Sequence, residues 1–136
     1  MKRCILFAFC ISLFFWSCEK EDNVRDIVIE VKVDPITSGG LTFAVVLTHD
    51  MQNISIYEEL GTGFDRTFQS SQMTLDEGVT CQYDILVLGE KDWNGTIGLP
   101  SDIEIKIKSD NKVIWSYIGK KGTGGNYMSS GSLVIR

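Results

Sequence analysis

The chain has little of the chemistry that enzymes and metal sites depend on. It contains one histidine, four cysteines and two prolines among 136 residues. The histidine, His49, has no second histidine or cysteine at a spacing that binds metals, and no serine signature that would mark a nucleophile–base pair. We therefore expect a protein that is not an enzyme and that holds no metal and no cofactor.

Positive charge is also scarce. Thirteen basic side chains face 18 acidic ones, for a formal net charge of −5. Nucleic-acid binding depends on lysines and arginines that neutralise phosphates, and anionic lipid head groups attract the same residues. The acidic balance argues against both kinds of partner. It favours solubility of the domain and does not identify a partner.

A long hydrophobic run is missing as well. The main apolar stretch, residues 5–16, is too short to cross a bilayer as a helix. It follows two basic residues, Lys2 and Arg3, and it ends just before Ser17. A basic start, a short apolar run and a small residue are typical of a cleaved secretory signal peptide.

The residues after this run resemble a lipoprotein processing site. Ser17 and Cys18 resemble the last two positions of a bacterial lipobox, although Phe15 and Trp16 depart from its first two. The resemblance implies cleavage before Cys18 and acylation of Cys18, which would anchor the chain to a membrane. The run 20–22, Lys-Glu-Asp, resembles the export signal of surface-exposed Bacteroidota lipoproteins. The implied location is the outer membrane, facing outward.

Processing at Cys18 would divide the chain into three parts. Residues 1–17 would be the signal peptide, residues 18–26 the lipidated cysteine and a flexible tether, and residues 27–136 one domain. Cys81 would then be the one free thiol, so an intrachain disulfide is excluded. We expect Cys81 to be buried as a small apolar residue.

Alternation of apolar and polar residues dominates the predicted domain. Strands are predicted at residues 27–33, 41–47, 54–60, 64–69, 79–88, 103–108, 113–118 and 133–136. About eight short strands with regular turn signals predict an all-β, two-sheet antiparallel sandwich of immunoglobulin-like or transthyretin-like arrangement. A small β-barrel is the alternative. A tight turn is predicted at Asp110-Asn111, because both residues tolerate positive φ.

Aromatic residues fall into two groups. Val113, Trp115 and Tyr117 alternate along one predicted strand and share a face, so we expect Trp115 and Tyr117 in the core. Trp93 and Tyr127 instead lie in polar segments, where they are available to stack on a sugar ring or to anchor a protein contact.

Two long polar loops, residues 89–101 and 119–131, form the predicted binding region. Carboxylate and amide side chains beside the aromatic residues would supply hydrogen bonds to a ligand. The candidate contacts are Asp92, Trp93, Asn94, Asn126 and Tyr127.

Three classes of function remain open. The first is a binding module for a glycan or a protein, using the two loops. The second is a structural or accessory subunit of an envelope assembly, which would add a partner's strand to an exposed sheet edge. The third is a hydrolase, which would need two acids such as Asp92 and Asp102 at a defined separation.

Overall fold

The computed structural model describes residues 23–90, 98–124 and 126–136. This part of the chain contains nine β-strands and no helix. The strands are β1 (Val24–Val33), β2 (Leu41–His49), β3 (Gln52–Leu60), β4 (Arg66–Gln69), β5 (Met73–Asp76), β6 (Thr80–Gly89), β7 (Ile103–Ser109), β8 (Lys112–Gly119) and β9 (Asn126–Val134).

The strands form two antiparallel sheets. Sheet A has the order β4-β1-β7-β8, with β5 beside β4 on the same side of β1, and sheet B has the order β3-β2-β6-β9. The sheets pack on each other through one shared core and do not close into a barrel. The predicted sandwich is confirmed and the barrel alternative is wrong. An immunoglobulin-like or transthyretin-like arrangement stays a prediction.

Strict alternation directs one face of each sheet into the core. The inward residues of β1, β2, β6 and β7 are almost completely shielded from water. Those with no exposed surface are Ile27, Ile29, Val31, Leu41, Phe43, Val45, Leu47, Cys81, Val87, Ile105 and Ile107. Burial of Cys81 is as predicted, and burial raises the pKa of its thiol.

The sandwich has two ends that differ in construction. At the loop end, strands β1, β3, β6 and β8 come to their ends. At the turn end lie the start of β1, the β2–β3 turn and the β7–β8 turn. Asp110 and Asn111 adopt positive φ angles of 45° and 66° in the last of these, which confirms the predicted turn.

The domain begins earlier than predicted. Residues 24–26, assigned to the tether, belong to β1 and pair with β5. The guanidinium group of Arg25 also bonds to Glu77 at 2.8 Å and to Asp110 at 3.3 Å. The local sequence does not predict this part of β1, because Arg25 and Asp26 are charged. The pairing depends on β5, a segment about 50 residues away.

The predicted loop 119–131 is wrong over its second half. Residues 126–131 are the start of β9, which pairs with β6 from Asn126 opposite Leu88 to Val134 opposite Thr80. The run Ser-Ser-Gly-Ser at residues 129–132 has no hydrophobic period, so this strand is recognised only from its pairing with β6.

A β-bulge changes the face that Val113 occupies. Ile107 pairs with Trp115 and Lys108 pairs with Val113, which leaves Ile114 as an extra residue in β8. Trp115 and Tyr117 are half-buried and pack on the core, as predicted. Val113 is turned outward instead and is 49% exposed.

Candidate binding surface

Some of the predicted ligand contacts lie among the residues that the structure describes, and others do not. Cys18, Asp92, Trp93 and Asn94 lie outside the residues that the structure describes. Asn126 and Tyr127 lie at the first two positions of β9. The role of all five predicted ligand contacts therefore stays a prediction, and the structure gives positions for Asn126 and Tyr127.

Tyr127 is engaged in packing between the sheets. Its ring is half-buried and stacks on the ring of Tyr117 with 3.9 Å between centroids and 17° between planes. Next to this pair, the rings of Tyr83 and Trp115 lie 5.2 Å apart. These four rings pack between the two sheets, where β8 faces β6 and β9, so the Tyr127 ring face that stacks on Tyr117 is not free for a sugar.

Parts of the two predicted loops contact each other at the loop end. Gly98 and Gly124 form a bridge, and the N–H of Leu99 donates to the carbonyl of Thr123 at 3.2 Å. The N–H of Gly122 donates to the carbonyl of Leu99 at 3.0 Å. The depression here has a volume of about 150 Å³, which is small beside the roughly 300 Å³ at the lower limit of typical ligand pockets.

Asp102 is held by neighbouring lysines. The backbone N–H of Lys121 donates to its carboxylate at 2.7 Å and the ammonium of Lys120 at 3.0 Å. These contacts, with the Lys121 N–H first, lower the pKa of Asp102. The carboxylate thus fixes the connection that follows β8.

His49 connects two strands of sheet B. Its Nδ1 lies 3.0 Å from the carbonyl oxygen of Thr80, and its Nε2 lies 3.4 Å from a carboxylate oxygen of Asp50.

Within the described ranges, no three metal-binding side chains lie together. The same ranges hold no helix long and apolar enough to span a membrane.

The sheet edges differ in how they are protected against pairing. Native edges are protected by short length, bulges or charges. β4 and β5 have four residues each, and β8 contains the bulge. β3 carries Glu58 and Glu59, and Glu58 lies opposite inward-facing Phe43. β9 has nine residues without a charge, a proline or a bulge.

Hydrogen-bond direction shows which groups of β9 point away from β6. The N–H of Ile135 donates to the carbonyl of Val79 at 2.9 Å, and its carbonyl accepts from Gly78 at 2.8 Å. Because backbone groups alternate along a strand, residues 127, 129, 131 and 133 also point toward β6. Residues 128, 130, 132 and 134 point the other way, and no other described strand pairs with them.

The outer faces of the two sheets have different chemistry. Sheet A carries a charged ladder, which includes Lys108 bonded to Glu30 at 2.6 Å. Sheet B carries a mainly apolar row across its four strands, made of Tyr57, Ala44, Leu86 and Met128. Asp84, which lies opposite Ser130 on β6, accepts a hydrogen bond from the Ser130 hydroxyl at 2.5 Å. The β9 edge therefore adjoins a surface with little free charge.

No family model, curated protein or solved structure matches the chain.

Proposed function

We propose that this chain is a lipid-anchored, non-catalytic domain of the bacterial outer membrane that is displayed at the cell surface and assembles with a protein chain. The partner contributes an extended segment, which pairs with β9 and extends sheet B by one strand. The observation that supports this is the β9 edge, which combines nine regular residues with the absence of any charge or proline.

Strand addition supplies affinity and specificity from different groups. The outward N–H and carbonyl groups of residues 128, 130, 132 and 134 would form the main-chain hydrogen bonds. Side chains at alternate positions of the added segment would contact Met128 on the outer face, which is 78% exposed. The other three edges lack this combination of length, regularity and neutrality.

A photo-crosslinking amino acid tests this proposal in intact cells. We would place it at Ser132 on β9 and, as the matched control, at Ser55 on β3. Both serines are exposed on the outer face of sheet B, at opposite edges. We expect a discrete crosslinked species from Ser132 and none from Ser55. No species from Ser132, or equal yields from both positions, would refute the proposal.

The anchor has its own test. Cys18→Ser removes the acceptor of the lipid, so we expect the variant chain to leave the outer-membrane fraction. Fractionation and the mass of the mature amino terminus measure this. Unchanged fractionation, with no added lipid mass on the wild-type chain, would contradict lipid anchoring.

A second candidate is recognition of a glycan or protein at the loop end. It is favoured by the contact between residues 98–99 and 122–124, which brings parts of both predicted loops together. We expect Trp93→Ala to lose signals on a glycan array that Tyr57→Ala, which alters an exposed tyrosine on sheet B, retains. Equal signals from wild type and Trp93→Ala would exclude a role for Trp93 in glycan binding.

A further inference from the structure

We infer that the strand added to β9 is β9 of a second copy of this chain, paired antiparallel about a two-fold axis at Gly131. This inference rests on the proposed function, because it names the partner at the same edge. A two-fold interface uses one surface patch twice, so the patch must complement itself in shape, charge and hydrogen bonding.

The side of the sandwich formed by β8 and β9 has the composition of an interface. Its two strands, residues 112–119 and 126–134, contain one charged residue, Lys112. They also hold four of the eight large apolar side chains that are exposed in the described ranges. These are Val113 (49%), Ile118 (57%), Met128 (78%) and Val134 (46%). Met128 and Val134 both lie on the outer face of sheet B at the edge that an added strand would extend, and exposed apolar residues at such an edge favour an interaction surface.

β9 is nearly palindromic in side-chain character. Residues 128–134 read Met-Ser-Ser-Gly-Ser-Leu-Val, with Gly131 at the centre. A two-fold axis at Gly131 places Met128 opposite Val134 of the other copy and Ser130 opposite Ser132. Each apolar residue of the outer face then meets an apolar residue, and each hydroxyl meets a hydroxyl.

The hydrogen-bond directions agree with this register. Ser130 and Ser132 both direct their N–H and carbonyl groups away from β6. When these residues face each other across the axis, they form a hydrogen-bonded antiparallel pair, and so do residues 128 and 134. Gly131 then meets its own copy in a pair without hydrogen bonds, where the two backbones approach most closely. A register moved by one residue would place outward groups opposite inward ones.

Electrostatics also permits two copies to meet here. The chain left after cleavage before Cys18 has 11 basic and 18 acidic side chains, so copies repel each other in general. β9 itself is uncharged, and Asp84, which lies opposite Ser130 on β6, accepts a hydrogen bond from the Ser130 hydroxyl. The opposite side of the sandwich would bring Glu58 and Glu59 of two copies together.

Membrane anchoring favours such a weak contact. One strand pair makes a small interface, but lipid anchors confine the copies to a plane and raise their effective concentration. Two anchored copies share one membrane when their two-fold axis lies along the membrane normal. That axis is roughly perpendicular to sheet B, so sheet A, which contains β1, the strand that follows the predicted tether, would face the membrane.

Disulfide trapping in mixed samples tests the register. Ser130→Cys and Ser132→Cys are prepared as separate lipidated chains with different tags and are reconstituted together in phosphatidylethanolamine vesicles. Cα atoms of a hydrogen-bonded antiparallel pair lie about 5.5 Å apart, within the range that a disulfide spans. We expect the mixture to give several-fold more covalent dimer than either variant alone. Ser55→Cys mixed with Ser132→Cys is the matched control, and thermal melting of each variant checks the fold.

The results distinguish pairing with a second copy from strand addition by a different protein. A dimer that forms equally from Ser130→Cys alone places the axis elsewhere and overturns the inference. An absent disulfide, together with photo-crosslinking of Ser132 to a different protein, overturns the second copy as partner and leaves the proposed function standing. An absent disulfide with no photo-crosslink from Ser132 removes both.

Discussion

Among the residues that the structure describes, Phe43 is the largest side chain that is completely buried, and its surroundings show how single residues stabilise the sandwich. It lies on β2, and its ring meets the Phe68 ring of sheet A edge to face, with 5.4 Å between centroids. Aromatic pairs in this geometry stabilise a core beyond the area they bury. The contact therefore joins the two sheets directly.

Truncation of this ring should be costly. We expect Phe43→Ala to lower the free energy of unfolding by about 3–5 kcal/mol, because it leaves a cavity between the sheets. Tyr57→Ala, on the exposed face of β3, should change it by less than about 1 kcal/mol. Urea unfolding of both variants measures the difference. A similar loss in the two variants would contradict the proposed position of Phe43.

Glycine at position 119 has a packing role that is separate from turn geometry. A Cβ there would lie 2.6 Å from Cδ1 of Leu99 and 2.9 Å from Cγ2 of Ile103. We expect Gly119→Ala to destabilise the fold by roughly 1–3 kcal/mol through overpacking. Gly61→Ala, where a Cβ would meet open space, is the control. Thermal melting compares the two, and equal melting temperatures would contradict the close approach.

Asp102 gives the fold a dependence on acid pH. Its pKa is lowered in the folded state, chiefly by the Lys121 N–H and then by Lys120. A lowered carboxyl pKa contributes stability above the ordinary value, about 3.9, and this stability is lost as the pH falls through the folded value. We expect the urea midpoint of the wild type to fall more steeply below about pH 4 than that of Asp102→Asn. Parallel pH profiles would contradict this.

At the scale of the strand, β9 has two sets of backbone N–H and carbonyl groups: one bonds to β6 and the other is directed at the sheet edge. The groups of Ser129 and Gly131 point toward β6, and those of Ser130 and Ser132 point outward. Proline lacks the N–H donor, so its effect depends on which set it enters.

Two proline variants separate these sets. We expect Ser129→Pro to destabilise the domain by about 3 kcal/mol, because it removes a hydrogen bond to β6. Ser132→Pro should keep nearly the wild-type stability and lose the assembly at the β9 edge. Urea unfolding and photo-crosslinking from Met128 measure the two effects. Equal loss of stability in both variants would show that β9 directs its groups differently.

The sequence predicts the strands with a clear period and misses those without one. Isoleucine and valine at alternate positions allow β1 and β7 to be predicted, and most of the predicted ends of these strands match the structure. β5 is four residues long, and four of the nine residues of β9 are serine or glycine, so both strands depend on pairing with a neighbouring strand. The bulge that turns Val113 outward is equally nonlocal, since it arises from the pairing of β7 with β8.

At the scale of the whole molecule, the two sides of the sandwich are unequal. The side with β3 carries Glu58 and Glu59, whereas the side with β8 and β9 carries Lys112 alone. No sequence pattern gives this division, because strands distant in the chain become neighbours only in the sheets. The candidate site shifted for the same reason, from aromatic residues in loops to the edge of sheet B.

Amide hydrogen exchange on the lipidated chain in vesicles tests strand addition at β9 most directly. The comparison is between wild type and Ser132→Pro, read at the amides of Met128 and Ser130, which point away from β6. If a strand is added at β9, both amides exchange slowly in the wild type, at rates near that of Ser129, and quickly in the variant. Equally rapid exchange at both amides in the two proteins would contradict it.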